Sequence, residues 1–220
     1  MISLQGLPQV VAAIGGLGTA AFGLVDASKA LGGGVNHIGF GAIKSLARSL
    51  TPGTQTNALS QKEVVATLQA NWFNGTDLGS QKSIAKTLIK LNLSPGNARD
   101  LAAATGVDPD ALSTIASNMA AGTALTTTQS DVYARFDLIL TAMLDEAYQR
   151  SDNLYHNWTR AIAAVIAIVL ALIGGYALSP RLPVWQSALA GLLATPLAPI
   201  AKDFSSALAT AVNTMQAIRK

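Results

Sequence analysis

Three long stretches of the chain are apolar and carry no charge. They cover residues 7–25, 161–179 and 182–201, so each is 19 or 20 residues long. As a helix, at 1.5 Å per residue, such a stretch reaches about 28–30 Å, close to the hydrocarbon thickness of a bilayer. Pro180 and Pro183 break the chain between the last two stretches, as expected for the turn of a transmembrane hairpin. The pattern predicts an all-α integral membrane protein with three spans.

The three predicted spans differ in strength. The aliphatic side chains of the second span contribute roughly −3 to −5 kcal/mol to membrane insertion. The first span is weaker, because Pro8, Gln9 and several glycines offset its aliphatic residues. Pro196 and Pro199 predict a kink in the third. A buried helix of a soluble protein is the competing interpretation, above all for the first stretch.

Basic residues near the ends of the spans predict the orientation. Lys29, Arg160 and Lys202 flank the spans on one side, whereas only Arg181 lies on the other. Positive residues favour the cytoplasmic side of a membrane. We therefore expect the N-terminus and the hairpin turn outside, the central region and the C-terminus in the cytoplasm, and a bacterial inner membrane as the location.

The spans divide the chain into six segments. They are the first span (1–29), a glycine-rich break with an amphipathic helix (30–54), a small cytoplasmic helical domain (55–129), a long amphipathic helix (130–160), the transmembrane hairpin (161–201) and an amphipathic C-terminal helix (202–220). In the second segment Lys44 and Arg48 lie apart from the apolar face. That helix is either interfacial, lying on the anionic leaflet, or an ordinary helix of the domain.

Capping signals predict several short helices in the small domain. Ser60 and Glu63 have the spacing of a capping box. Further predicted caps are Ser80, Ser94 before Pro95, Asp108 before Pro109, Gly106 and Gly122. The helices predicted at 97–105 and 110–121 look like a helix-turn-helix, but the second lacks the basic residues of a DNA-reading helix. We expect a plain helical hairpin and no nucleic-acid partner.

A single long helix is predicted to run into the second span. No glycine or proline occurs from Asp131 to Ile173, so more than 40 residues can form one helix. Its apolar seam follows an approximate heptad: Tyr133, Phe136, Leu140, Met143, Ala147 and Leu154. The seam would pack on the small domain or on a second copy. Trp158 lies where an aromatic belt is expected at the membrane interface.

Small residues recur along one face of each predicted span. Membrane helices associate where small side chains let their backbones approach. The stripes are Ala12, Gly16 and Ala20, with Gly15, Thr19 and Gly23 on a neighbouring face, in the first span; Ala163, Ala167, Ala171 and Gly175 in the second; and Ser187, Gly191 and Thr195 in the third. One stripe per span can serve packing within the chain, and two on the first span predict a homo-oligomer.

Composition and motifs indicate no catalytic chemistry. Only 12% of residues are charged and there is no cysteine, which rules out disulfides and thiolate metal sites. Gly16-Leu17-Gly18-Thr19-Ala20-Ala21 matches the GxGxxA dinucleotide fingerprint, but no strand–helix alternation with an acidic residue follows it. The spans contain no Asp, Glu, Lys, Arg or His, which argues against a proton relay or a coupled transporter. We expect neither a cofactor nor an enzymatic activity.

These patterns favour a non-enzymatic membrane scaffold that self-assembles in the bilayer and presents a cytoplasmic helical surface to a protein partner. The alternative is an oligomeric channel with weak charge selectivity, lined by Thr19, Gln186, Ser187 and Thr195. A nucleotide-binding protein that uses Gly16–Gly18 is a third hypothesis.

Overall fold

The computed structural model describes residues 7–30, 33–52, 59–177 and 182–199. These residues form helices and contain no strand, so the predicted all-α class is confirmed for them. The helices are α1 (Leu7–Ala30), α2 (Asn36–Gly39), α3 (Gly41–Leu50), α4 (Gln61–Phe73), α5 (Leu78–Leu91), α6 (Ala98–Thr105), α7 (Pro109–Ala120), α8 (Thr127–Ala177) and α9 (residues 184–199). The predicted C-terminal helix 202–220 and Lys202 lie outside the described residues.

The chain forms two compact units. The helical domain comprises the described residues of Asn36–Tyr155, and the apolar bundle comprises the described residues before Asn36 and after Tyr155. Helix α8 is 51 residues long, and it contributes its N-terminal part to the domain and its C-terminal part to the bundle. The unbroken pattern from Asp131 to Ile173 predicted this continuity, because nothing in it interrupts the helical hydrogen bonds.

The helical domain is built around one apolar core. Helix α3 packs against α4 and α6, and α6 packs against α7. Large, fully buried apolar side chains at its centre come from six different helices: Ile43, Leu68, Ile89, Leu101, Leu112, Phe136 and Leu140. Because each short helix contributes only one or two of these side chains, none of them can bury its apolar face alone.

Helix α3 buries its apolar face inside this domain. Ile43, Ala47 and Leu50 belong to the core, whereas Lys44 is half-buried and Arg48 is exposed. The apolar surface that an interfacial helix would offer to lipid is therefore covered by the domain itself. Contact of the remaining face of α3 with a leaflet stays a prediction.

The helix ends test the capping predictions. Ser60 and Glu63 form the predicted capping box, in which the Ser60 backbone N–H donates to Glu63 Oε2 at 2.7 Å. Asp108 caps α7 by accepting from the backbone N–H of Ala111. Two predictions are wrong. Asp77, not Ser80, caps α5, since its carboxylate accepts from the Ser80 N–H.

The second error concerns Ser94 and Pro95, which lie in a turn. Helix α6 begins at Ala98, and the Asn97 side chain accepts from the Ser94 N–H and donates to the carbonyl oxygen of Asn92. A Ser-Pro pair favours a turn as readily as a helix start, and here the buried Asn97 side chain stabilises the turn. The predicted glycines, Gly106 and Gly122, follow α6 and α7 with φ of 67° and 69°.

The seam of α8 packs on the helical domain over most of its length. Phe136, Leu140 and Ala147 are buried, and Tyr133 and Met143 pack against the core as half-buried side chains. Leu154 is 39% exposed. Leu144 and Tyr148 are also buried, although the predicted heptad does not include them. The buried face is wider than a two-position coiled-coil seam because several helices pack on it rather than one.

Candidate functional site

The interior of the apolar bundle consists mainly of small side chains. One face of α8 is buried, and it carries an alanine or a glycine at every fourth position. Small residues of α1 and α9 are buried beside it. The buried small residues are Gly15, Gly18 and Ala21 in α1, Ala163, Ala167, Ala171 and Gly175 in α8, and Ser187, Gly191, Ala194 and Ala198 in α9. Small side chains let backbones approach closely, so packing here depends on main-chain contact rather than on bulky side chains.

Three glycines mark the closest backbone approaches. A Cβ atom at Gly18 would overlap the carbonyl oxygen of Ala194, and one at Gly191 would overlap the Cα of Ile168. A Cβ at Gly175 would overlap the hydroxyl of Ser187. These positions join α1 to α9 and α9 to α8. The three helices therefore form one packed group.

The outer surface of the same bundle carries the large apolar side chains. Val165, Val169 and Ile173 line the outer face of α8, and Leu189, Leu192 and Leu193 do the same on α9. Two helices, α1 and α8, are long and apolar enough to cross a membrane, and only 22% of each apolar window is buried within the chain. A soluble protein buries such residues and exposes polar ones. The bundle instead exposes its large apolar side chains and buries its small ones.

The predicted stripes of the second and third spans lie inside the chain. Ala163, Ala167, Ala171 and Gly175 are buried, as are Ser187 and Gly191, while Thr195 is half-buried. The stripes of the first span are placed differently. Of its six residues only Gly15 is buried, and Ala12, Gly16, Thr19, Ala20 and Gly23 are exposed. The face of α1 that packs in the bundle contains Gly18 and Ala21, which were not among the predicted positions.

Glycines on the exposed side of α1 have open space around them. Among the described residues no atom outside the local backbone comes within 4 Å of a Cβ built at Gly16 or Gly23. Helix α1 thus has two small-residue faces, one packed in the bundle and one outward. Glycine in a helix interior costs roughly 0.5–1 kcal/mol relative to alanine. Packing against the described residues does not explain why glycines stand on the outward face.

The four positions predicted to line a channel have unlike environments. Ser187 is buried against Gly175, whereas Gln186 is exposed. Thr19 is exposed as well, and its hydroxyl donates to the carbonyl oxygen of Gly15 at 3.1 Å. The predicted nucleotide fingerprint lies in the middle of α1. Its backbone N–H groups therefore belong to a helix interior rather than to a strand-to-helix turn.

Three of the predicted interface residues, Lys29, Trp158 and Arg160, flank the uncharged stretches of α1 and α8. Lys29 forms an ion pair of 2.6 Å with Asp26 in the last turns of α1. Trp158 and Arg160 are exposed, just before the uncharged part of α8. Among the residues that the structure describes, no three His, Asp or Glu side chains lie close enough together to bind a metal ion.

A charged ladder in the helical domain was not predicted. Lys82, Lys86 and Lys90 follow one another at four-residue spacing on α5. In the structure Lys82 pairs with Asp145 at 2.6 Å, and Lys86 and Lys90 both pair with Asp137, at 2.6 and 2.9 Å. Lys90 also lies over the ring of Tyr133, 4.9 Å from its centroid.

The ladder shifts the protonation of its members. Partial burial opposes ionisation of Asp137 and is the largest influence on it, but the hydrogen bonds from Lys86 and Lys90 outweigh it and hold its pKa below the ordinary value of 3.8. Partial burial likewise opposes the charge of Lys90, and the contacts with Asp137 and Tyr133 overcome it and raise its pKa. Burial raises the pKa of Tyr148, which remains a neutral phenol. Asp137 and Lys90 are therefore both ionised at neutral pH.

The comparisons with known proteins identify no relative: no protein-family model, no curated protein and no solved structure matches this chain.

Proposed function

We propose that the chain is a non-enzymatic, three-span membrane scaffold, which self-assembles in the bilayer and displays its helical domain to partners on the cytoplasmic side. The distribution of side chains in the apolar bundle is the observation that carries this proposal. Small residues fill its interior and large aliphatic residues cover its surface. A hydrocarbon environment solvates such a surface, whereas water does not.

Membrane insertion is tested by fractionation. In cells that express the full chain, the protein should stay with the membrane pellet after extraction with alkaline carbonate, which releases peripheral proteins. Recovery in the soluble fraction would contradict the three-span proposal.

The absence of cysteine allows a clean test of sidedness. Ser117 in α7 and Val184 at the start of α9 are both exposed. A single cysteine is introduced as Ser117→Cys or as Val184→Cys, and intact cells or spheroplasts are treated with a membrane-impermeant maleimide. The Val184→Cys protein should react from outside, and the Ser117→Cys protein only after lysis. The reverse pattern would overturn the proposed orientation.

Self-assembly is supported by the outward small-residue face of α1. Ala12, Gly16 and Ala20 lie four residues apart and are exposed, and no described atom outside the local backbone lies within 4 Å of a Cβ built at Gly16. The corresponding stripes of α8 and α9 are used within the chain. A second copy is therefore expected to pack on α1. Native mass spectrometry in mild detergent measures the copy number, and a strictly monomeric protein would contradict assembly.

The scaffold is favoured over the channel by the environment of Ser187. Its side chain is buried against Gly175, so it is not available to line a pore between copies. A conductance recording on reconstituted protein distinguishes the two functions. The scaffold gives no current above the bilayer background, whereas a steady unitary current would favour the channel.

A further inference from the structure

A shallow groove on the helical domain combines positive charge with exposed apolar side chains. It has a volume of about 500 Å³ and lies between α5, the C-terminal end of α7 and the N-terminal part of α8. The residues that line it are Ser83, Lys86, Thr87, Lys90, Leu91, Met119 and Tyr133. We call this feature the lysine groove.

The charge of the lysine groove has one sign. None of the described residues that line it is acidic. Asp137 is shared by Lys86 and Lys90, so one carboxylate stands against two ammonium groups and leaves one positive charge in excess. The two lysines are also held in place, because Lys86 donates to Thr141 Oγ1 at 3.0 Å and Lys90 lies over Tyr133. An acidic partner would therefore meet two ammonium groups whose positions are already fixed by contacts within the domain.

Two large apolar side chains beside these lysines are exposed to solvent. Leu91 is 63% exposed and Met119 is 45% exposed, at the ends of α5 and α7. Methionine adapts its shape to a partner, and methionine and tyrosine are enriched in protein–protein interfaces. Exposed apolar groups next to fixed lysines suit a ligand that has both an apolar face and carboxylates.

We propose that the lysine groove binds an acidic amphipathic helix of a partner protein. Leucine-type side chains of that helix would cover Leu91 and Met119, and its glutamates or aspartates would meet Lys86 and Lys90. This is the helix-in-groove mode, in which an apolar face supplies contact and flanking charges supply specificity. The inference gives the chemistry of the partner that the proposed scaffold presents its surface to, and it rests on that function.

The test uses two synthetic peptides and the full chain kept soluble in amphipol. Both peptides are amphipathic helices with leucines on one face, and their polar faces carry glutamates in one and lysines in the other. Fluorescence anisotropy of the labelled peptides is expected to show the acidic peptide binding at least about tenfold more tightly than the basic one. Its affinity should fall as salt is added, because the lysines are partly exposed.

Matched variants connect this binding to the groove. Leu91→Glu is expected to weaken the acidic peptide at least about tenfold, since it replaces an apolar anchor by a repelling charge. Leu138→Glu is the control, because Leu138 is 70% exposed on α8 and does not line the groove. It should bind like the unchanged chain. Circular dichroism of both variants verifies that the helices are retained.

Three outcomes would overturn the proposal. They are equal binding of the two peptides, an undiminished affinity in Leu91→Glu, and an equal loss in Leu138→Glu. A lipid surface is tested separately with vesicles of phosphatidylcholine and phosphatidylglycerol. Vesicle binding that depends on Leu91, without binding of the acidic peptide, would assign the groove to lipid instead. Because the peptides are added to solubilised protein, failure here is distinct from failure of the fractionation or native-mass tests.

Discussion

Gly18 of α1 lies directly against the main chain of Ala194 in α9. A Cβ atom at position 18 would overlap the Ala194 carbonyl oxygen and come within 2.9 Å of the Cβ of Ala198. This contact fixes how closely the first and third apolar helices approach. It also identifies which of the two small-residue faces of α1 belongs to the interior of the bundle.

The first prediction concerns this contact. Gly18→Ala should destabilise the bundle by about 1–3 kcal/mol, because the added methyl group meets backbone atoms that cannot rotate away. Thermal unfolding in detergent, followed by circular dichroism, measures the change. Gly23→Ala is the matched control in the same helix, since no described atom outside the local backbone lies within 4 Å of a Cβ there. Equal melting temperatures for the two variants would contradict the proposed packing.

The second prediction separates assembly from folding. Gly16→Leu should leave the melting of the bundle intact but weaken self-association by at least about tenfold, or about 1.4 kcal/mol, since a large side chain would hold a second copy away from α1. Gly174→Leu is the control, because Gly174 is an exposed glycine of α8 and no described atom outside its local backbone lies within 4 Å of a Cβ built there. Native mass spectrometry compares the two. If Gly174→Leu dissociates the oligomer and Gly16→Leu does not, the interface lies elsewhere than on α1.

The stripes show what sequence reasoning can find in this bundle. In α8 the alternation of small and large residues is strong, so a four-residue period is enough to identify the buried face from Ala163 to Gly175. In α1 small residues occur all round the helix. Periodicity there indicates close packing but cannot choose a face, because the choice depends on Ala194, which lies far away in the sequence.

The charged ladder illustrates the same limit in the helical domain. The four-residue spacing of Lys82, Lys86 and Lys90 indicates that they share one face of α5. Lys86 and Lys90 pair with Asp137, which lies 51 and 47 residues away from them in the sequence, so only the packing of α5 against α8 brings these groups together. Caps such as Ser60 were predictable because both partners of the box lie within one helical turn.

The third prediction concerns the stability that Asp137 contributes. Asp137→Asn should lower the unfolding free energy at neutral pH by about 0.5–1 kcal/mol, the upper part of the range for partly exposed ion pairs. The carboxyl group is only 29% exposed and binds two lysines, which places it above an isolated surface pair. Asp145→Asn is the control, since the Asp145 side chain is 54% exposed and, among the described residues, forms an ion pair with one lysine, Lys82. A larger loss for Asp145→Asn would contradict this ranking.

The fourth prediction is the pH dependence of that contribution. The folded-state pKa of Asp137 lies below its ordinary value of 3.8, so the unfolded chain takes up a proton first as the pH falls. The contribution is fully present above pH 3.8 and disappears as the pH drops through the folded-state pKa. Denaturant titrations of the unchanged chain and Asp137→Asn should therefore converge in acid. Parallel curves down to the lowest pH would show that the carboxylate charge is not the source of the difference.

The fifth prediction tests the glycine that closes α2. A Cβ atom at Gly39 would lie 2.7 Å from Cζ2 of Trp72 and 2.9 Å from the Cβ of Tyr155. The indole cannot move freely, because its Nε1 donates to the carbonyl oxygen of Asn36 at 3.0 Å. Gly39→Ala should therefore destabilise the helical domain by about 1–3 kcal/mol. Gly41→Ala meets no described atom within 4 Å outside its local backbone and should be neutral or slightly stabilising. Hydrogen–deuterium exchange of peptides from α4 measures both variants, and equal protection in the two would show that Trp72 yields without cost.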